Sequence, residues 1–309
     1  MKKIFSLILV VLSTSALASY PEFFGASFST TAIGNQANLD PNDPSNNYYV
    51  PAILGFSDKV NILMQSTSTA THFKSIKNIT VTNNTNSSPK TSTGTKGDVD
   101  TNYPKFYGGS LHFALPIGYQ HLGTLGLSIF LPIGRLIETN SGDPFLPEYV
   151  MYRSRYQRTN VYFNFAKKWS DDFSWSLGTI LGFQASADVK TNLSLNGADY
   201  GSWARARSKV SPSLGIITSI VKIIDRSKLY FSYQQEMKSN LHAAVAGEIN
   251  NPSLALFEST IDSMIFYDPH IFRLGASVDF GDTEIFGAVE YQLWSSYKTP
   301  AITVSKVGG

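Results

Sequence analysis

The side chains able to do chemistry in this sequence are few and scattered. The five histidines (His72, His112, His121, His242 and His270) have no ligand-like spacing, and there is no cysteine. That removes thiolate metal sites, disulfides and a cysteine nucleophile together. Ser110 and His112 alternate onto one face of a strand-like run, the beginning of a hydrolase pair. A spacing of two arises often by chance, and neither a third member nor an oxyanion donor accompanies it. No phosphate-binding glycine loop or metal constellation stands in the sequence, so no catalytic residue, metal or cofactor is expected. The charges that do group are Arg205, Arg207 and Lys209 on one alternating run, and Glu236 with Lys238 on the next. The alternation sets Arg205, Arg207 and Lys209 opposite Ala206, Val210, Leu214 and Ile216, and so places them in a lumen. There a guanidinium would match a ligand carboxylate bidentately. The competing reading is an ion-pair network with Glu236 and Asp188 that stiffens the wall. Arg153, Arg155 and Arg158 would contact lipopolysaccharide phosphates or simply be solvated.

The elements that must position these groups read as β-strands. From Phe173 to Asp188, Phe173, Trp175, Leu177, Leu181 and Phe183 alternate with Ser174, Ser176, Gly178, Gly182 and Gln184, the period of two that marks a strand. The runs Thr124–Leu136 and Ile271–Phe280 repeat the pattern. One face is aromatic and aliphatic while the other is small and polar, which is the arrangement of lipid outside and lumen inside. The composition agrees. Of the 309 residues 16% are charged and 13% aromatic, where soluble domains carry about 25% charged residues, yet mean hydropathy is −0.07. That average excludes a bundle of transmembrane helices. A net charge of +2 without a basic stripe argues against a nucleic-acid partner. The fold class expected is all-β, a transmembrane antiparallel β-barrel.

The chain divides into three parts. Residues 1–18 have Lys2 and Lys3, an apolar run and an Ala-x-Ala site ending at Ala18, a secretory signal peptide too short to span a bilayer as a helix. Residues 19–58 are Gly-, Asn- and Pro-rich and read as a compact irregular plug. Residues 59–309 read as nine strands, roughly 59–76, 104–117, 123–138, 149–170, 173–193, 203–222, 228–248, 268–281 and 283–297. Short connections near 118–122, 170–172, 225–227 and 281–283 alternate with long ones near 77–103, 139–148, 194–202 and 249–267, as in outer-membrane barrels with short periplasmic turns. Such barrels have an even strand number and leave no open edge in lipid. The expectation is therefore a C-terminally incomplete barrel, wanting an odd number of strands. In the last long loop, Leu254, Leu256, Phe257, Met264, Ile265 and Phe266 follow Pro252-Ser253 at a spacing suited to a short amphipathic helix. It would capture apolar ligand or fold down on the barrel mouth.

Within the plug, Phe24-Gly25-Ala26-Ser27-Phe28-Ser29, then Ala32-Ile33-Gly34, then Asp43-Pro44-Ser45 and Tyr49-Val50-Pro51-Ala52 resemble the start of mature FadL-like outer-membrane transporters of long-chain fatty acids and other hydrophobic compounds. Val50 stands where that family has Asn. The run Leu125–Gly134 is similar to the family's third strand. The resemblance implies a 14-stranded barrel whose N-terminal segment folds inward as a hatch. It also implies passive uptake of a hydrophobic small molecule, and a third strand kinked to open the wall laterally. On that reading Phe23, Phe24, Phe28, Gly34, Pro51 and Ala52 form the hatch, and Gly126, Pro132 and Gly134 the opening. From the residues alone, the phenylalanines either touch ligand or only pack the plug to the wall. Likewise Pro132 either breaks pairing mid-strand or ends the strand at the outer rim. The expected setting is a monomer in the outer membrane of a Gram-negative bacterium, in contact with its lipid and lipopolysaccharide. The alternatives are a general diffusion porin and a structural or adhesive surface barrel.

Overall fold

A computed structural model of the chain describes residues 25–69, 76–81, 95–99, 106–118, 122–133, 159–182, 185–195, 198–211, 213–248, 257–296 and 303–304. The signal sequence, Phe23, Phe24, Gly134, Arg153, Arg155, Arg158, Leu254 and Leu256 lie outside them. The described part begins with two short helices, α1 (Phe28–Ala32) and α2 (Asn46–Tyr49), and a 3-10 segment, Pro51–Phe56. Strands follow: β1 (Asn61–Thr69), β2 (Ile76–Val81), β3 (Thr95–Val99), β4 (Phe106–Ile117), β5 (Gly123–Pro132), β6 (Asn160–Ser170), β7 (Phe173–Gly182) and β8 (Ala185–Leu195). Then come β9 (Ala198–Val210), β10 (Leu214–Ile224), β11 (Ser227–Gln234), β12 (Met237–Glu248), β13 (Phe257–Asp268), β14 (His270–Asp279), β15 (Glu284–Leu293) and β16 (Thr303–Val304). No described helix is long and apolar enough to cross a membrane.

The strands form two main sheets. A nine-stranded sheet has the order β1-β4-β5-β6-β7-β10-β11-β14-β15, and a five-stranded sheet the order β16-β13-β12-β9-β8. All their pairings are antiparallel. The two sheets share their chain segments: β7 runs into β8, β9 into β10, β11 into β12 and β13 into β14, each across a break of one to three residues. The strands expected as single long runs are therefore each two strands. The turns at the far end are tight. Asp225 (φ 51°) and Gly281 (φ 95°) supply the left-handed conformations of two of them, and Asp is among the few non-glycine residues that tolerate it. Beside a third turn, Lys222 pairs with Asp172 and holds its carboxyl below the ordinary carboxylate range.

Two expected loops are partly strand. Residues 77–103 contain the β2–β3 hairpin. The predicted helix within 250–267 is absent from Phe257 onward, because Phe257–Asp268 is β13, laddered to β12 from Met237↔Asp268 to Gly247↔Phe257. Phe257, Met264, Ile265 and Phe266 are thus strand residues. The ladder to β12 satisfies the backbone of alternate residues along its length, which outweighs a helical spacing of apolar side chains.

The N-terminal segment packs on one face of the nine-stranded sheet, here called the inner face. That face is polar and buried: Ser110, His112, Ser128, Asn164, Ser174, Ser176, Ser219, Ser232 and Arg273 are all at most 3% exposed. The opposite face is apolar and exposed, with Met64 at 81%, Leu214 at 67% and Val289 at 70%, along with Ile62, Leu177, Ile216, Ile220 and Leu274. Leaving such a side chain in water forgoes about 1.5–3 kcal/mol. A sheet with polar groups inside and this face outside is favourable only where hydrocarbon is the outer solvent.

Across the breaks the alternation changes phase. In β10 the buried positions are Gly215, Ile217, Ser219 and Val221, with Leu214 and Ile216 exposed. In β9, on the other side of 211–213, Val210 is buried while Arg207 and Lys209 are exposed. In β11 the buried set is Tyr230, Ser232 and Gln234; in β12 it is Met237 and Ser239, with Lys238, Asn240 and His242 exposed. Met237 lies on the inner side, because a Cβ added to the inward-facing Gly215 would stand 2.9 Å from its Cγ. Leu241 shares Met237's parity and pairs with Val210, while His242 pairs with Lys209. The five-stranded sheet therefore turns its apolar side inward and its polar side outward.

Candidate functional site

The candidate site is the contact between the N-terminal segment and the inner face. Its local structure follows from its sequence. Ser27 caps α1 in a reciprocal box with Thr30, which satisfies two orphan amide donors. Gly34 follows the helix at φ 86°, a left-handed position that suits glycine. Asp43 collects Ser29 Oγ (2.6 Å), Asn38 Nδ2 (2.5 Å) and Ser45 Oγ (2.6 Å), so the chain folds back before α2. Pro51 opens the 3-10 segment, where its missing N–H costs nothing.

This segment docks through side chains of the nine-stranded sheet. Asn47 Nδ2 donates to Ser128 Oγ of β5 (3.0 Å) and to the Tyr162 carbonyl of β6 (3.2 Å), and Asn164 Nδ2 donates back to Asn47 Oδ1 (2.9 Å). Ala52 N–H donates to Ser219 Oγ of β10 (2.9 Å), and Ser174 Oγ of β7 donates to the Ala52 carbonyl (2.7 Å). His112 on β4 spans two partners, Ser128 Oγ at Nδ1 (2.8 Å) and the Ala26 carbonyl at Nε2 (2.9 Å). A carbonyl can only accept, so Nε2 carries a proton and Ser128 completes the node with Asn47. Gln65 of β1 bonds Phe28 N–H and the Ala26 carbonyl. Lys228 of β11 donates to the Leu39 carbonyl (3.0 Å). Buried polar groups hold a docked segment in one register because each unmade bond would cost about 1–3 kcal/mol.

An aromatic and cationic cluster completes the contact. Tyr48 meets Tyr49, Phe130 and Tyr162 edge-on at 4.7, 5.8 and 5.1 Å between ring centroids. Arg273 of β14 lies over both tyrosine rings, 5.0 Å from Tyr48 and 5.6 Å from Tyr49, and donates to Tyr48 OH (3.3 Å). Its Nε donates to Glu290 Oε2 of β15 (2.6 Å). Burial pushes the Tyr49 hydroxyl well above the ordinary phenol range, against the opposing charge of Arg273.

The sequence-predicted residues fall as follows. Pro51 and Ala52 are buried in the hatch–wall contact. Phe28 is 71% exposed, so it does not pack the plug to the wall. Gly126 belongs to the docking contact rather than to an opening. A Cβ there would stand 2.1 Å from Asn47 Oδ1, so only glycine admits the asparagine. Pro132 is the last residue of β5, the strand-end alternative. β4–β5 pairing shows no register shift up to it, and Ile133 N–H still donates to the Tyr107 carbonyl (2.8 Å). Pairing of β5 with β6 is described as far as Phe130↔Asn160. The edge toward β6 is the one on which Pro132 lacks its donor.

Arg205, Arg207 and Lys209 do not share a face with the polar lumen positions. The phase change at 211–213 puts them on the outer face, opposite Val210. Arg207 and Arg205 pair with Asp188 and Lys190 of β8. Glu236 is remote from them and accepts from Lys238 Nζ (2.8 Å) and Tyr267 OH (3.2 Å). Ser110 and His112 both turn to the Ala26 carbonyl (3.4 Å and 2.9 Å), a docking role and not a nucleophile–base pair. The residues that sequence reasoning missed are Asn47, Asn164, Ser128, Arg273 and Glu290. Their available signal was polarity with size: Asn164 and Arg273 are large polar side chains at inward positions of β6 and β14.

No protein-family model and no curated protein matches the chain. Three solved structures are similar to it in part. One is a FadL homologue of Pseudomonas aeruginosa, at 19% identity and TM-score 0.46, aligned over 87% of this chain and 68% of that one. Another is the toluene transporter TodX of P. putida, at 11% identity and TM-score 0.46, over 94% and 74%. A TodX deltaS2S3 mutant, a monoaromatic hydrocarbon channel, aligns at 12% identity and TM-score 0.43 over 82% of this chain and 66% of that one.

Proposed function

We propose that the chain builds the wall and hatch of an outer-membrane channel for passive uptake of hydrophobic molecules. The observation that carries this reading is the reversal of faces along the same strands. The nine-stranded sheet is apolar outside, which suits lipid, and polar inside, where the hatch fills it. The five-stranded sheet is polar outside, which suits water, and offers Val210, Met237, Ala243 and Val245 inside. A hydrophobic molecule would partition into that apolar vestibule and stop at the polar, hatch-filled level below. Passage requires the hatch to leave its partners. Its hydrogen bonds can be replaced by water one by one, while its apolar contacts through Tyr48, Ile53 and Leu54 set the cost of release. Phe28, exposed beside Gln65, is the hatch residue placed to touch ligand. Long-chain fatty acids and aromatic hydrocarbons both fit this chemistry.

The test is uptake into proteoliposomes of a fatty acid and of a sugar, with the full chain and with residues 19–58 deleted after export. Fatty-acid uptake that exceeds sugar uptake and changes on deletion is the expected result. Unchanged uptake in the deletion variant ends the hatch mechanism. Strong ion conductance with equal sugar flux would indicate a water-filled porin.

A further inference from the structure

We infer that Asn160 and Ser213, which flank Gly182 on the inner face, receive the uncharged polar end of an amphiphile whose apolar tail lies in the vestibule. This rests on the proposed channel function and narrows its substrate class. The ligand has a neutral, hydrogen-bonding end, as a long-chain alcohol does.

Register places the pair. One row crosses the inner face: Gln65 of β1 pairs with Ser110 of β4, Ser110 with Phe130 of β5, Phe130 with Asn160 of β6, and Asn160 with Gly182 of β7. Gly182 N–H in turn donates to the Ser213 carbonyl, just before β10 (2.8 Å). The two ends of the row are used differently. Gln65 Nε2 and Ser110 Oγ donate to the Ala26 carbonyl (3.1 and 3.4 Å) and so hold the hatch. Asn160 is fully buried and Ser213 is 6% exposed, yet Asn160 Nδ2, Asn160 Oδ1 and Ser213 Oγ have no hydrogen-bond partner. Buried polar groups are almost always paired, because an unpaired one has given up its hydration for nothing. Three such atoms beside one glycine point to a group that both residues receive. Gly182 makes the room. A Cβ there would stand 2.0 Å from Ser213 Oγ, so the missing side chain lets the hydroxyl lean over the glycine toward Asn160.

Chemistry names the polar end. An amide and a hydroxyl each donate and accept, so the pair suits a group that does both, a hydroxyl above all. No residue of the row is charged, and a carboxylate brought here would be desolvated without a counter-ion. The inner-face cation Arg273 is committed to Glu290 and Tyr48. Position names the tail. The pair stands at the edge of the breaks, where β6 begins, β7 ends and the chain enters β10. The buried apolar residues of the vestibule adjoin it, Val210 three residues before Ser213 and Met237 beside Gly215.

The test measures equilibrium binding of isotope-labelled dodecanol, dodecane and dodecanoate to the full chain in detergent, at a pH where dodecanoate is ionised. Each value is corrected for partition into protein-free micelles. Dodecanol is expected to bind about tenfold tighter than dodecane, and dodecanoate no tighter than dodecane. Asn160→Leu, close in size, should bring dodecanol down to the level of dodecane and leave dodecane binding and the thermal midpoint unchanged or higher. A merely structural asparagine would instead lower the midpoint. Ser213→Ala should lose about threefold in dodecanol affinity alone, which keeps the test open if the leucine variant does not fold. Equal binding of dodecanol and dodecane by the wild-type chain overturns the inference and leaves the channel reading standing, as does a preference for dodecanol that both variants keep. Tightest binding of dodecanoate overturns the neutral end. Binding of no probe above the micelle blank overturns the inference and the channel reading together.

Discussion

The nine-stranded and five-stranded sheets share four chain segments, β7–β8, β9–β10, β11–β12 and β13–β14, and obey opposite rules. Below the breaks, the inner positions mix Ser, Asn, His and Arg with Phe130, Tyr162, Ile180, Ile217 and Val221, and the outer ones are Leu, Ile, Met and Val. Above them the inner positions are Val210 and Met237, and the outer ones Arg207, Lys209, Lys238 and His242. The nine-stranded sheet buries Phe130, Tyr162, Ile180, Ile217 and Val221 in one cluster with Tyr48, Ile53 and Leu54 of the N-terminal segment, so its core mixes apolar side chains with hydrogen-bonded polar ones. Each sheet faces a different outer solvent, and the phase change in the breaks switches from one to the other. The N-terminal segment fills the inside of the lower sheet with both kinds of group, Tyr48, Ile53 and Leu54 in the apolar cluster and Asn47 in hydrogen bonds.

The most severe way to break this comparison is to restore a single phase. Deleting Gln235 would carry Met237 to the outer face and Lys238 to the inner one, inverting all of β12 against β9 and β13, since a one-residue slip exchanges the faces of a strand. No folded, protease-resistant product is expected, and a variant that folds normally would show that the breaks do not set the faces. Arg273→Ala acts on the other half of the contrast, the polar filling. It strands Glu290, which is one-third exposed, and removes the cation over Tyr48 and Tyr49. Breaking a buried pair costs about 3–5 kcal/mol, and the partial exposure of Glu290 lowers this to about 2–3 kcal/mol. The readout is hydrogen exchange of residues 25–57, which should quicken while exchange in β4–β7 changes little.

The mildest intervention sharpens the boundary. The chain has no cysteine, so Lys209→Cys and Ile216→Cys each introduce a lone thiol with little effect on stability. In membranes, a charged maleimide should label the first and a lipid-soluble one the second. Labelling of both by the charged reagent would place the apolar belt in water.

Much of this fold is legible from period two alone. The runs in β5, β7 and β14 assign side chains to faces correctly, because within an unbroken strand alternation is geometric. That the stretch rich in Asn and Gly is no β-strand is legible as well, from its lack of period, and its described part is two short helices and a 3-10 segment. The reading of Arg205, Arg207 and Lys209 fails for an equally physical reason. It carries the alternation from Val210 to Leu214 as though the strand were continuous, and the break at 211–213 shifts it by one. The short helix expected before Tyr267 fails because cross-strand pairing with β12 is a non-local interaction.

The sequence by itself determined which residues share a face within each strand, the all-β class, and the absence of cysteine chemistry. It did not determine which face is inner on either side of a break, since periodicity carries no absolute sign. Nor did it determine what the hatch holds. Asn47 with Ser128 and Asn164, His112 with Ala26, and Arg273 with Tyr48 are 81, 117, 86 and 225 residues apart. Contacts at such separations exist only once the sheet has curved its inner face around the segment that fills it.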